Sequence, residues 1–172
     1  MKSRVWTVAA SVVALICVFL IAFAVFTSLE NERRKNAAPD FTVVDASGKA
    51  VELSDIRNKP VVVNLWATWC PYCLEEMSAF ESAYKKYGND VVFMMVDMTG
   101  GEETVEKAKA YVESMGYTFP VYYDTEESVS DTYNVTSLPR TLFVNRDGSL
   151  YKMHTGMLNA DMLESYIEIL LK

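Results

Sequence analysis

Acidic residues are missing from the first 29 positions, and histidine occurs once in the 172-residue chain. Seven Gly and five Pro are too few for a low-complexity or disordered protein. Three Cys and one His cannot assemble a four-ligand zinc site, because Cys17 sits in an apolar run far from Cys70 and Cys73. No metal and no cofactor are expected. Basic residues are also in short supply, 16 Lys+Arg against 23 Asp+Glu. Lys2 and Arg4 precede every acid, so from Glu30 onward 14 basic residues face 23 acidic ones, a net charge of −9. A domain so acidic repels a phosphate backbone, which excludes nucleic acid as a partner. The length allows one ordinary domain plus an appendage.

The appendage is N-terminal. Lys2 and Arg4 are followed by 25 uncharged residues, Val5 to Leu29. As a helix that run is about 37 Å long, more than the ~30 Å hydrocarbon layer. It is expected to be a transmembrane anchor over residues 1–29, with Cys17 facing lipid. The rival is a cleaved signal peptide, since Ala22-Phe23-Ala24 has the A-x-A form, although Val25 and Phe26 carry the apolar run past it. A lipoprotein would want a small residue where Ile16 stands. Arg33, Arg34 and Lys35, diluted by Glu30 and Glu32, nearly balance Lys2 and Arg4, so the positive-inside count does not fix orientation. The short basic tail ahead of an apolar run resembles an export signal, and the C-terminal domain is expected on the extracytoplasmic side.

Residues 30–37 read as a charged linker and 38–172 as the folded domain. Phe41–Val44 and Val51–Leu53 flank Asp45-Ala46-Ser47-Gly48-Lys49 and suggest a β-hairpin. Val61–Trp66, apolar except for Asn64, reads as a strand buried on both faces. A helix is expected over Pro71–Tyr87, a second buried strand over Val91–Val96, and an amphipathic helix over Glu102–Met115. Val121–Tyr123 is a third strand and Glu126–Tyr133 a short helix. Thr141–Asn145 and Leu150–His154 form a hairpin around Arg146-Asp147-Gly148, and Asp161–Leu171 is a closing helix. Strands alternating with helices predict an α/β fold whose central mixed sheet is flanked by helices.

Trp69-Cys70-Pro71-Tyr72-Cys73 falls where the first buried strand gives way to a helix. The helix N-terminus carries partial positive charge and unpaired N–H groups, which favour a thiolate at Cys70. Cys70 would take part in thiol–disulfide exchange and Cys73 would resolve the mixed disulfide. The alternatives are a structural staple or half a zinc site. A staple across two residues removes almost no chain entropy, and no second CxxC exists for a metal.

These residues, with Ala38-Pro39-Asp40-Phe41, Ser47-Gly48-Lys49, Leu53-Ser54-Asp55, Asn64-Leu65-Trp66-Ala67-Thr68, Glu76-Met77 and Leu138-Pro139, resemble the thioredoxin superfamily. Within it they are similar to the membrane-anchored TlpA/ResA-like thiol–disulfide oxidoreductases. The likeness covers Ala38 to Lys172. It implies a thioredoxin fold with an N-terminal β-hairpin extension. It also implies that Pro139 follows a cis peptide facing the cysteines, and that the backbone beside Leu138 binds an extended substrate. Trp69, Pro71, Tyr72, Leu138 and Pro139 are thus expected to contact substrate. Glu76 matches a glutamate that handles the proton of the second cysteine. It shares a helix face with Cys73, whereas Glu75 does not. Asn64 stands where cytoplasmic thioredoxins carry an aspartate, and an amide takes no proton.

Two positions depart from the family pattern. Ser78 replaces a proline, and Pro71-Tyr72 is the glutaredoxin dipeptide. Arg140 is either a source of positive field near Cys70 or a solvated side chain, and His154 a surface or edge-strand residue. Peroxiredoxins share Pro-Asp-Phe, but they need Thr or Ser where Ala67 stands.

The resemblance implies a membrane-tethered, monomeric thiol–disulfide oxidoreductase that exchanges disulfides with protein substrates. Reduction is the expected direction, as in cytochrome c maturation or electron supply to extracellular repair enzymes, with an integral membrane thiol donor recharging the pair. A disulfide-forming oxidant and a non-catalytic binding module are the alternatives.

Overall fold

Val61 to Trp66 form strand β3, every residue of which is buried. An apolar strand of this kind needs cover on both faces, and the chain supplies it. The computed structural model describes residues 2–56 and 58–172, with side chains described for 15–31, 36–56 and 58–172. It divides into two units, 1–37 and 38–172.

The first unit is a helix, α1 (Lys2–Asn36). Apolar side chains at Leu15, Phe19, Phe23 and Phe26 are exposed along it. The expected span, Val5–Leu29, lies at residues 5–14 outside the described side chains. Among the described residues no helix is long and apolar enough to cross a membrane.

The second unit is built on a seven-stranded sheet. Its strands are β1 (Thr42–Asp45), β2 (Ala50–Glu52), β3, β4 (Val92–Asp97), β5 (Val121–Tyr123), β6 (Arg140–Val144) and β7 (Leu150–Thr155), in the order β2-β1-β5-β4-β3-β6-β7. The β3–β4 and β4–β5 pairs are parallel, and the other four are antiparallel. The helices are α2 (Pro71–Tyr87), α3 (Val105–Met115), α4 (Ser128–Thr132) and α5 (Ala160–Leu170). This is the thioredoxin arrangement, and the β1–β2 hairpin extends it through β5.

Strand side chains alternate between faces, so β3 feeds two cores. Val62 and Trp66 pack with Met77 and Phe80 of α2, Phe93, Phe143 and Ile167 of α5. Val61, Val63 and Leu65 pack with Met94, Val96, Phe41, Val129 and Tyr133. Asn64 belongs by alternation to the first face, beneath α2.

Helix boundaries follow local capping. Thr104 accepts a hydrogen bond from Lys107 N–H and caps α3, so this helix begins at Val105 and not at Glu102. Gly116, at φ 68°, ends it in a left-handed turn that favours glycine. The short helix expected over Glu126–Tyr133 contracts to α4, because the Asp124 carboxylate takes the N–H groups of Val129 and Ser130.

Candidate active site

Cys70 is the N-cap of α2, and Pro71 occupies the first helical position, where a missing N–H costs nothing. The Cys70 sulfur accepts the Cys73 N–H at 3.3 Å and therefore sits on the positive end of the helix. Cys70 and Cys73 are joined by a disulfide with Cα atoms 5.3 Å apart. Cys73 is fully buried and Cys70 is 4% exposed. Around this sheltered pair the neighbouring rings are open: Trp69 is 62% and Tyr72 64% exposed, and Pro71 is exposed too.

Under α2, the side chain of Glu76 is 2% exposed. Its carboxylate accepts Asn64 Nδ2–H at 2.7 Å and the Leu158 N–H at 2.7 Å. Asn64 also donates to Thr141 Oγ1 at 3.1 Å, its cross-strand partner on β6. Burial pushes the Glu76 carboxyl up to about 7, against the opposing pull of the Leu158 and Asn64 donors. Glu75, one residue earlier, is exposed. Thr141 and the Leu158 amide were not among the expected site residues. Their sequence separations from the groups they bind, 77 and 82 positions, leave no local signal.

The Leu138–Pro139 peptide is cis. Pro139 is buried, and its carbonyl accepts the Gly156 N–H at 2.9 Å. Leu138 is half-buried and, with Trp69, Met98 and Val135, lines a cavity of about 320 Å³. Trp69 and Leu138 are thus brought to one cleft, with Pro71 and Tyr72 exposed at the α2 start. Arg140 is not solvated. It is buried, and its Nη1 donates to the carbonyls of Tyr133 at 2.9 Å and Asn134 at 3.2 Å, which fixes the loop leading to Pro139. His154 is half-buried on the edge strand β7, with its ring 6.3 Å from Tyr166.

A dithiol–disulfide pair capping a helix, with a buried carboxyl of near-neutral pKa on that helix, can exchange disulfides and move a proton. Comparison with known proteins agrees. Residues 35–153 match the AhpC/TSA family. The chain is 33% identical to the thiol-disulfide oxidoreductase ResA of Bacillus subtilis (strain 168), over 98% of this chain and 94% of that protein. It is 31% identical to ResA of Geobacillus kaustophilus over 98% of both. Among solved structures, the pneumococcal exposed lipoprotein thioredoxin Etrx1 of Streptococcus pneumoniae is similar, at 32% identity and a TM-score of 0.65. That match spans 75% of this chain and 98% of that one. The chain belongs to the AhpC/TSA family and is a thiol–disulfide oxidoreductase of the ResA type.

Proposed function

We propose that this oxidoreductase works at a membrane, its 38–172 domain on the extracytoplasmic side, and reduces disulfides in other proteins. The observation that carries the chemistry is the Cys70 sulfur seated on the N-terminus of α2, with the Trp69 and Tyr72 rings exposed on either side of it in the sequence. In the reduced enzyme the Cys70 thiolate attacks a substrate disulfide. A mixed disulfide forms and one substrate thiolate leaves. The Cys73 thiol gives its proton to Glu76 and attacks the Cys70 sulfur. The second substrate thiol is released, and two electrons have passed from the pair to the substrate. Glu76 suits the task because a base with a pKa near the working pH is available in both protonation states.

Trp69, Pro71, Tyr72, Leu138 and Pro139 contact the substrate chain in this reading. The exposed rings and the cleft beside Leu138 favour an extended, partly apolar segment. Residues 1–29 hold the enzyme in the membrane as a single-pass anchor, and 30–37 space the domain from it. Support comes from the 25 uncharged residues Val5–Leu29 and from the exposed apolar side chains of α1. A membrane thiol donor returns the pair to the dithiol form.

Equilibration of the full chain with glutathione buffers tests the direction. A potential below that of glutathione supports a reductant, and one well above it makes the enzyme an oxidant. Alkaline carbonate washing tests the anchor. Retention in the membrane pellet with Met1 or Lys2 at the N-terminus is expected, and mature protein starting at Val25 in the medium would overturn it.

A further inference from the structure

Strands β3 and β4 end side by side, with Trp66 opposite Asp97. From β3 the chain passes through Ala67, Thr68 and Trp69 into Cys70. The Cys70 N–H bonds to the Ala67 carbonyl at 3.1 Å, closing a four-residue turn with Thr68 and Trp69 at its centre. From β4 the chain passes through a loop to α3, and Glu103 in that loop reaches across. Its Oε2 accepts the Thr68 hydroxyl at 2.6 Å and the Thr68 N–H at 3.2 Å. The backbone of Glu103 is itself pinned by two hydrogen bonds to Gly100.

Glu103 is 2% exposed and Asp97 fully buried. Asp97 Oδ1 accepts the Thr99 hydroxyl at 2.7 Å, and its carboxyl lies within hydrogen-bonding reach of Glu103. The two remaining oxygens, Asp97 Oδ2 and Glu103 Oε1, have no donor. Two neighbouring carboxylates in a buried site repel, and a single proton between them supplies the missing donor and removes the like charge. Burial, reinforced by the Glu103 charge, pushes the Asp97 carboxyl up to about 7. Tyr123 of β5 also lies in the field of Asp97, with the Lys109 ammonium 5.6 Å from its ring centre.

We propose that Asp97 and Glu103 share one proton and that Glu103, held by that bond, is a positioning residue that fixes the Thr68–Trp69–Cys70 turn. Neither group touches the reacting sulfurs. Their effect passes through Thr68, two residues ahead of Cys70, and so sets where the sulfur sits over the helix end and where the Trp69 ring stands. The inference rests on Cys70 being the attacking sulfur.

The test measures, on the reduced full chain, the iodoacetamide alkylation rate at Cys70 by mass spectrometry, the midpoint potential in glutathione buffers, and thermal unfolding. Glu103→Ala is expected to slow Cys70 alkylation about 10-fold per folded molecule, a part of the ~10²-fold that a ~1 Å misplacement of a reacting group can cost. Glu103→Gln is expected to stay within about two-fold of wild type, since its oxygen still accepts from Thr68 and its amide donates to Asp97. Asp97→Asn is expected to do the same by donating to Glu103. A purely structural role would lower the unfolding temperature while leaving alkylation rate and potential unchanged. Wild-type alkylation in Glu103→Ala therefore overturns the proposal. So does a loss in Glu103→Gln equal to that in Glu103→Ala, which would assign the effect to charge. If Glu103→Ala does not fold, Thr68→Val removes the 2.6 Å bond alone, and a wild-type rate there overturns the proposal equally. Labelling of Cys73 in place of Cys70 in the unmodified chain overturns the Cys70 assignment itself, an outcome separate from the variant series.

Discussion

Glu76 and Glu81 lie on the same helix, α2, and both are buried, 2% and 7% exposed. Burial acts on both in the same direction, raising the pKa. Yet Glu76 ends at about 7 while Glu81 lies below its ordinary 4.5. The difference is in depth and in donors: Glu76 sits beneath α2, whereas Glu81 lies near the surface beside the exposed Lys85 side chain. Glu76 has two donors, the Leu158 N–H and the Asn64 amide. Glu81 accepts the Thr118 N–H at 2.8 Å, the Phe119 N–H at 3.3 Å and the Thr118 hydroxyl at 2.7 Å, with Lys85 Nζ at 3.0 Å. A carboxylate surrounded by donors and a cation stays charged and ties α2 to the loop before β5. One with two neutral donors is left able to take a proton. Low surface exposure alone therefore does not mark an acid able to take a proton; depth, donors and a neighbouring cation together decide it.

The largest effect expected bears on the frame that both carboxylates serve. Cys70→Ser should abolish insulin reduction, because a hydroxyl is not ionised at neutral pH. Cys73→Ser should instead accumulate mixed disulfides with substrate proteins, visible as adducts on non-reducing gels. Dominant adducts on Cys73 in a Cys70→Ser chain would reverse the two roles.

Next is Glu76 itself. Glu76→Gln should slow the resolution step by about 10²-fold near pH 7, the scale of a lost general base, while sparing the first attack by Cys70. Glu75→Gln, on the exposed side of the helix, should leave both steps at wild-type rates. Stopped-flow measurement of the two steps across pH decides this. Equal resolution rates in the two variants would make Glu76 a buried structural group like Glu81.

The same pair should have opposite signatures in stability against pH. Glu76 has a raised folded pKa, so between about 4.5 and 7 the folded state holds a proton that the unfolded state has lost. Its contribution is complete below 4.5 and disappears as pH rises through 7. With a shift of this size in a buried group, the contribution is at most about 3 kcal/mol. Glu81 has a lowered folded pKa, so its contribution is present above 4.5 and disappears as pH falls through the folded value. Thermal unfolding of Glu76→Gln should therefore approach or exceed wild type at pH 8 and fall short at pH 5. Glu81→Gln should fall furthest short at pH 8. Parallel pH curves for the two variants would break the comparison.

Some of this contrast was legible in the sequence and some was not. The apolar run Val61–Trp66 and the helix Pro71–Tyr87 were read with the bounds they have, because hydrophobic pattern and the Cys-Pro start are local signals. Helix spacing separated Glu76 from Glu75, and the structure buries one and exposes the other. The donors that set the acidity of Glu76 were invisible, since Leu158 contributes only a backbone amide from a loop after β7. Glu81 carries no local signal of its role, because its partners, Thr118 and Phe119, meet it only through the tertiary fold. Arg140 looked solvated or field-bearing because arginine usually is. Its use on two loop carbonyls depends on a chain reversal between Tyr133 and Pro139. Asp97 lies just past the strand expected over Val91–Val96 and Glu103 inside the helix expected from Glu102, and the bond from Thr68 to Glu103 joins segments that follow different strands.

The smallest expected effect sharpens the donor argument. Thr118→Val removes one hydroxyl from the Glu81 carboxylate and keeps the two backbone N–H groups, which belong to the chain and not to the side chain. Valine matches threonine in shape, so little repacking is needed. The loss should cost about 1 kcal/mol, the net worth of a hydrogen bond to a partner that retains others. One donor fewer also leaves burial less opposed, so the Glu81 pKa should rise toward its ordinary value. The folded and unfolded values then lie closer together, and the stability lost on acidification should shrink. Glu76 shares none of these donors, so the pH profile of disulfide resolution should stay at wild type in Thr118→Val. The measurement is thermal unfolding from pH 3 to 8 beside the resolution rate at each pH. An unchanged acid limb of the stability curve would mean that the backbone amides and Lys85 alone hold Glu81 ionised. A shifted resolution profile would mean that the two carboxylates are coupled through the helix, and that donor count at each site does not act independently.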